Sequence, residues 1–133
     1  MRLGGCRVGA AIPVSDMARA REFYETRLGL TPATDHEPEN NVTYLCGGGT
    51  VVHVFTTPHA GTSRATVAGW EVDDIERIVD ELTADGVVFE QYDGAVNGIM
   101  DIEGNYPSKG RGERAAWFRD SEGNMLGIAE VVR

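Results

Sequence analysis

One histidine of the sequence lies in the middle of an apolar run and has the chemistry of a pocket residue. His53 is flanked by valines in VVHVF, a run typical of a β-strand. Because imidazole titrates near neutral pH, His53 can act as a base or donate a hydrogen bond to a ligand. The alternative is a histidine held by a neighbouring side chain in a partly buried sheet. His36 and His59 lie in the loop-like segments DHEP and TPHA, where we expect exposed side chains.

Aromatic side chains on strand-like segments are a second group with a chemical use, because they can line an apolar pocket for a small organic molecule. They are Tyr44, Phe55, Trp117 and Phe118. Most strand aromatics belong to a core, and of the adjacent pair 117 and 118 only one can face a pocket. Asp101 and Glu103 lie in a glycine-rich stretch, where the alternatives are a lid over the pocket, an acid–base group or solvated loop residues.

The charge balance and the apolar runs exclude several classes of partner. The 133 residues carry a formal net charge of -9, and no basic stripe is present that would neutralise nucleic-acid phosphates. No apolar run reaches the roughly 20 residues of a membrane helix, and the N-terminus lacks the apolar region of a signal peptide.

Cys6 and Cys46 fit buried thiols in a reducing compartment, so we expect a cytoplasmic protein of one domain, 1–133.

The elements that must position these residues follow a pattern that the chain contains twice. Residues 7–30 and 65–87 each begin with an apolar run of strand length and continue with helical periodicity. The two copies are offset by 58 residues (74 − 16), which equates Asp74 with Asp16. We expect these two aspartates to cap the helices, with Asp73 as an equal candidate in the second copy.

Each predicted helix is followed by strand-like pieces, so each copy forms a module with the order strand, helix, strand, strand, strand. We place module one at about 7–57 and module two at about 64–133, with Gly29 and Gly86 as left-handed glycines that end the helices. The predicted later strands are LTPATDHE, NVTYLCG and TVVHVFT in module one, and VVFEQYD, ERAAWFRD and MLGIAEVV in module two. Residues 98–112 form an extra excursion, and GGG at 47–49 lacks a following G-K-S/T and predicts a hairpin turn.

Motifs in both modules resemble one known family. Module one contains Val14-Ser15-Asp16, then Phe23-Tyr24 inside the helix, then Leu28-Gly29-Leu30, and the chain closes with DSEGNMLGI at 120–128. These motifs closely resemble the glyoxalase/bleomycin-resistance/dioxygenase proteins, also called the vicinal oxygen chelate superfamily, over almost the whole chain. The resemblance implies an α+β fold in which two βαβββ modules form an open cup of curved mixed β-sheet, with helices outside. The resemblance also implies a homodimer. The family includes lyases, isomerases, dioxygenases, transferases and drug-sequestering proteins that use no metal.

The resemblance, combined with the alternation of side chains along a strand, predicts which residues face the cup. On the first strand of each module these are residues 9, 11, 13 and residues 67, 69, 71, which leaves Trp70 beneath the second helix. On the last strand of module one they are Val51, His53 and Phe55.

The metalloenzymes of that family hold a divalent ion at four strand positions, and carried over onto this chain these positions are Gly9, His53, Val67 and Gly127. Only His53 has a metal-binding side chain, and Gly127 stands where the family usually has a glutamate. The nearest carboxylate on the same face is Glu71, about 13 Å along the strand from position 67 at ~3.3 Å per residue. The usual donor set of imidazole and carboxylate groups is therefore missing.

We interpret the chain as a metal-independent protein that binds a small organic molecule, of the resistance or sequestration type or a cofactor-free enzyme with His53 as the catalytic group. The expected ligand-binding residues are Tyr44, Val51, His53, Phe55, Glu71, Trp117 and Gly127. The alternative is a metal-dependent glyoxalase-like lyase, isomerase or dioxygenase with displaced ligands such as His53 with Glu71, or with residues from a partner chain. A third reading is a dimerisation module without a ligand.

Overall fold

The computed structural model describes residues 2–34, 39–102 and 112–131, and it contains two four-stranded sheets. Module one comprises β1 (Ala10–Val14), α1 (Met17–Arg21) continued by a π-helical segment (Glu22–Arg27), β2 (Thr31–Pro32), β3 (Asn41–Leu45) and β4 (Val51–Thr56). Module two comprises β5 (Thr66–Glu71), α2 (Ile75–Ala84), β6 (Met100–Ile102), β7 (Glu113–Arg119) and β8 (Met125–Val131). Short 3-10 turns occupy Arg2–Gly5 and Gly47–Gly49.

The two sheets have the same topology, as the internal repeat predicts. The first has the strand order β1-β4-β3-β2 and the second has the order β5-β8-β7-β6. In each sheet the first and last strands of the module are parallel, and the remaining neighbours are antiparallel. The strands β1 and β5 lie close to each other, so the two sheets adjoin along these strands. The predicted α+β fold is therefore confirmed.

Two of the predicted strands differ from the observed ones. The segment 87–93 is not a strand, because within it only Phe89 pairs with β7, through a single bridge to Phe118. The chain then turns back through Asn97 and Gly98, both at positive φ, and it is Met100–Ile102 that pairs with β7. This short strand lies inside the stretch that we expected to be an excursion. In module one only Thr31–Pro32 forms β2, and residues 35–38 lie outside the described part of the chain.

The helix caps lie at the equivalent aspartates of the two modules. Asp16 accepts a hydrogen bond from the backbone N–H of Arg19 (3.0 Å), and Asp74 accepts one from that of Arg77 (3.2 Å). Asp74, rather than Asp73, is therefore the cap of α2. The helices are followed by Gly29 and Gly86 at φ +74° and +96°, a left-handed conformation that costs glycine little.

A single apolar core fills the space between the helices and one face of each sheet. Its fully buried members include Ile12 and Val14 of β1, and Phe118 of β7 packs edge-to-face on Phe89 with ring centroids 5.3 Å apart. Since Ile12 and Val14 face this core, Ala11 and Pro13 lie on the opposite face of the sheet, as predicted. We call the face of each sheet that lies opposite the core the cup face.

The family-like motifs at the two ends of the chain contact each other through one buried carboxylate. Glu122 accepts hydrogen bonds from the backbone N–H groups of Ser15 (3.0 Å) and Asp16 (2.9 Å) and from Nε of Arg19 (2.7 Å). Burial by itself raises the pKa of Glu122, but the hydrogen bonds from Arg19, Asp16, Ser121 and Ser15 outweigh it and lower the pKa to about 2. The carboxylate thus joins the start of α1 to the last turn of the chain.

A second polar network lies beside the first and also joins the modules. The Tyr24 hydroxyl donates to Asp120 (2.6 Å), and the amide of Asn124 donates to Asp120 (2.9 Å) and to the carbonyl of Pro13 (2.7 Å). Burial, followed by the charge of Asp120, raises the pKa of Tyr24. Asp120 and Asn124 are therefore structural residues of the turn before β8.

Candidate functional site

An irregularity in β5 decides which of its side chains reach the cup face. Thr66 pairs with Met125 and Ala68 pairs with Leu126, so β5 has one extra residue, Val67, at this point. Such a bulge turns the side chain of the preceding residue to the opposite face of the sheet. Val67 packs against the core, and Thr66 lines the cup face. Our prediction that Val67 faces the cup is therefore wrong, whereas Gly69 and Glu71 lie on that face as expected.

A cavity of about 380 Å³ lies on the cup face of module two. Its floor is made of small residues at paired positions, because Gly69 is opposite Gly127 in the β5–β8 pair and Ala115 is opposite Ala129 in the β7–β8 pair. The remaining lining residues are Thr66, Trp70, Glu71, Ile102, Glu113, Trp117 and Ile128. The lack of large side chains on the floor leaves room for a ligand close to the sheet.

Trp117 forms one wall of this cavity and lies over Gly127. The two residues are direct partners in the β7–β8 pair. A Cβ atom at position 127 would lie only 3.2 Å from Cδ1 and 3.3 Å from Nε1 of the indole. The indole also contacts the ring of Tyr92 edge-to-face, with centroids 5.8 Å apart. The glycine in this strand therefore allows the tryptophan side chain to lie against the sheet.

A second cavity, of about 640 Å³, adjoins the first where the two sheets meet. It shares Gly69, Trp70 and Glu71 with the first cavity. Its remaining lining residues are Val8, Gly9, Ala10, Cys46, Gly47, Thr50, Val51, Val52, Ala68 and Asp73. Among the predicted site residues, Val51 and Glu71 thus reach this cavity, and Glu71 contributes to both.

His53 is exposed on the cup face of module one, and its Nδ1 lies 2.8 Å from the hydroxyl of Thr43. A Cβ atom at Gly9 would lie 3.5 Å from Cδ2 of His53, so these two positions are neighbours as the resemblance implied. However, His53 lines neither of the two cavities. The structure therefore does not bring His53 and Glu71 into one cavity.

Two aromatic predictions need correction. Tyr44 is fully buried on the core side of β3, where it stacks on Tyr24 (6.0 Å between centroids) and donates to Glu25 (2.8 Å). It cannot contact a ligand on the cup face, since alternation turns it to the opposite side of the sheet. Phe118 is also a core residue, which leaves Trp117 as the member of that pair that faces the cup. Phe55 is half-buried and lines neither cavity.

The remaining candidate residues lie away from the two cavities or outside the described residues. Asp101 has a 91% exposed side chain with Nε of Arg114 at 3.9 Å, and His59 is exposed. Glu103 and His36 lie outside the described residues. Cys6 is exposed, not buried as expected, because the 3-10 turn that precedes it contains no buried residue.

The donor atoms at the family's metal positions do not fit a divalent ion. His53 supplies one imidazole, while Gly9 and Gly127 have no side chain and Val67 faces the core. Thr66, which the bulge places on the cup face, offers only a neutral hydroxyl. Across residues 2–34, 39–102 and 112–131 no three histidine, cysteine, aspartate or glutamate side chains gather at a metal-binding distance.

Several lining residues were missed by the sequence analysis. Ala115 and Glu113 were predictable as lining residues, because alternation along β7 places them on the same face as Trp117. Thr66 was not predictable, because no residue type in TVAGWE marks the extra position. Tyr92 does not line either cavity, and its contact with Trp117 was not predictable, since it depends on the course of the chain after residue 87.

The paired modules and the cavity on the cup face define a protein of the glyoxalase-like class. The model of the Glyoxalase/Bleomycin resistance protein/Dioxygenase superfamily matches residues 8–128, and the chain belongs to this family. Among curated proteins, no match to the chain was found. Within the described residues, no helix has the length and apolar character to cross a membrane.

Solved structures with the same fold come from several bacteria. TnmS3, described as an antibiotic binding protein from Streptomyces sp. CB03234, is 21% identical with a TM-score of 0.67, over 96% of this chain and 98% of that one. A glyoxalase/bleomycin resistance protein from Catenulispora acidiphila is 19% identical with a TM-score of 0.67, over 95% and 98%. A glyoxalase/bleomycin resistance protein/dioxygenase from Alicyclobacillus acidocaldarius is 16% identical with a TM-score of 0.69, over 100% and 96%. At these identities the similarity establishes the fold alone.

Proposed function

We propose that this protein binds a small organic molecule in the cavity of module two and does so without a metal ion. The observation that carries the proposal is the indole of Trp117 lying over Gly127. In the family's metalloenzymes the residue at that strand position is a glutamate that holds the metal. Here an aromatic surface occupies the space instead, so the site offers apolar contact where the enzymes offer a charge.

The dimensions of the cavity support this role. A volume of about 380 Å³ lies within the range of about 300–1,000 Å³ that is usual for small-molecule sites. The floor of glycine and alanine lets a flat molecule approach the sheet, and Trp117 provides a rigid surface for an aromatic ring. A ligand that lies beside the indole would contact both this aromatic surface and the small residues of the floor.

Sequestration of an antibiotic or metabolite is the activity that fits best. His53, the catalytic candidate of the sequence, lines neither cavity, so no imidazole of the described residues is positioned to act on a ligand at Trp117. The structurally similar TnmS3 is described as an antibiotic binding protein, and an equivalent role is the one we propose for this chain.

A thermal-shift screen tests the proposal. The wild-type protein, stripped of metal with chelator, is heated with metal-free bleomycin, tetracycline and a set of planar aromatic antibiotics. A ligand selective for the folded state must raise the melting temperature. We expect at least one compound to do so, and we expect Trp117→Ala to abolish the shift while Tyr92→Phe keeps it. A shift that survives Trp117→Ala would place binding elsewhere.

Metal analysis of protein purified without chelator tests the second half of the proposal. We expect substoichiometric nickel, zinc, manganese and iron. A stoichiometric metal that is lost in His53→Ala or Glu71→Gln would overturn the metal-free reading in favour of a metal-dependent lyase, isomerase or dioxygenase with displaced ligands.

A further inference from the structure

The two cavities are lined by carboxylates and by no positively charged side chain among the described residues. Glu71, at the end of β5, lines both cavities. Asp73 lines the larger cavity, and Glu113 lines the smaller one with only 5% of its surface exposed. No lysine, arginine or histidine is among the lining residues of either cavity. The described lining of the two cavities therefore combines carboxylates with an aromatic wall.

The side chains of Glu71 and Asp73 differ from the acidic side chains of the nearby helix, because they have no partner among residues 2–34, 39–102 and 112–131. On α2, Glu76 is 2.7 Å from Nη1 of Arg114 and Glu81 is 3.1 Å from Nη1 of Arg77. Neither the Glu71 side chain nor the Asp73 side chain forms a hydrogen bond or an ion pair with another described residue, although the Glu71 backbone pairs with Ala129 in the sheet. The charge of Glu71, at the point shared by the two cavities, is consequently available to a ligand.

The chemistry of these residues selects the charge of the ligand. An anionic molecule in the cavity would lie beside the carboxylate of Glu71, and such like-charge contact is unfavourable. An ammonium group gains attraction from that carboxylate and from the face of an indole. A ligand whose ring packs on Trp117 and whose amine lies at Glu71 makes a favourable contact with each residue, and both residues line the same cavity.

We propose that the ligand of the module-two cavity is an aromatic molecule with a positively charged amine, its ring packed on Trp117 and its ammonium group at Glu71. This assignment rests on the proposed function, because it specifies the class of molecule that the same cavity binds.

Three probes of one shape and different charge test the assignment. Naphthylmethylamine is a cation at neutral pH, naphthylmethanol is uncharged and naphthoate is an anion. Their affinities for the wild-type protein are measured by isothermal titration calorimetry at low ionic strength. We expect the amine to bind about five-fold more tightly than the alcohol, a ratio typical of one exposed charge contact, and naphthoate to bind most weakly.

Two variants with the same change in net charge locate the effect. Glu71→Gln removes the carboxylate of the cavity, whereas Asp80→Asn removes one on the exposed side of α2, away from both cavities. The preference for the amine over the alcohol is expected to disappear in Glu71→Gln and to persist in Asp80→Asn. Loss of the preference in both variants would show that overall charge, and not Glu71, selects the ligand.

The outcomes separate this assignment from the proposed function. Equal binding of all three probes, or tightest binding of naphthoate, overturns the cationic ligand class while a small-molecule site remains. If none of the probes binds, the ring-and-ammonium class is likewise wrong, and the antibiotic screen decides independently whether the cavity binds any organic molecule.

Discussion

Trp117 is the cross-strand partner of Gly127, and its indole lies within 3.3 Å of the point where a side chain at position 127 would begin. The tryptophan and the glycine therefore depend on each other, because one needs the space that the other leaves. Their pairing also explains why glycine interrupts an apolar strand. The indole over Gly127 forms one wall of the module-two cavity.

Substitution of this glycine is expected to displace the tryptophan. In Gly127→Ala the new Cβ would lie 3.2 Å from Cδ1 of the indole, closer than most real contacts, so the Trp117 side chain must shift by a few tenths of an ångström. We expect a loss of stability of about 1 kcal/mol, typical of mild overpacking, and weaker binding of any compound found in the screen. In the Trp117→Ala background the same substitution is expected to cost less, as a double-mutant cycle by urea denaturation will measure. Equal costs in both backgrounds would contradict the contact.

Glu122 is expected to make stability depend on pH in a narrow acidic window. Its pKa falls from 4.5 to about 2 on folding, so its contribution is fully present above about pH 4.5 and is lost as the pH falls towards 2. The shift corresponds to a contribution of the order of 3 kcal/mol at neutral pH. We expect Glu122→Gln to lose about this amount at pH 7 and to approach the wild type near pH 2.

Denaturation curves of both proteins across that window measure the difference, and Glu81→Gln is the matched control. Glu81 pairs with Arg77 on the surface with both side chains more than half exposed, so its removal should cost less than about 1 kcal/mol. A constant difference between wild type and Glu122→Gln from pH 7 to pH 2 would refute the role of this carboxylate.

Loss of the Tyr24 hydroxyl is expected to affect stability and not ligand binding. Tyr24→Phe removes the donor that lies 2.6 Å from buried Asp120, which costs about 1–3 kcal/mol when a charged acceptor loses a partner. Tyr92→Phe is the control, since Tyr92 is 46% exposed. Chemical denaturation gives the stabilities, and calorimetry with a compound from the screen should give unchanged affinity in Tyr24→Phe.

His53 is expected to be dispensable for binding in the module-two cavity. It lines neither cavity, and its ring nitrogen is engaged by Thr43. We expect His53→Ala to change affinity less than two-fold and stability by no more than about 0.5 kcal/mol, as for exposed sites in general. A ten-fold loss of affinity would show that His53 contributes directly to ligand binding.

The repeat made most of the fold predictable, whereas the site depended on details that the sequence does not mark. Asp16, Asp74, Gly29 and Gly86 have strong local preferences, so caps and helix ends followed from residue type. The bulge at Val67 has no such signature. Its one extra residue places Thr66, and not Val67, on the cup face. Tyr44 was misplaced for a related reason, since alternation gives two faces of a strand without saying which one covers the core.

The homodimer implied by the resemblance stays a prediction, as does the absence of a cofactor. Neither depends on the contacts described within one chain, and light scattering at several protein concentrations measures the oligomeric state directly.

The hydrogen bonds from Ser15 and Asp16 to Glu122 also have a consequence for how the chain folds during its synthesis. These partners are 107 and 106 residues apart, so the first helix leaves the ribosome long before the carboxylate that receives its leading N–H groups. Contacts of such separation form late, because a long loop must close first. The contacts of the first helix with Glu122 can therefore form only after residue 122 has been translated.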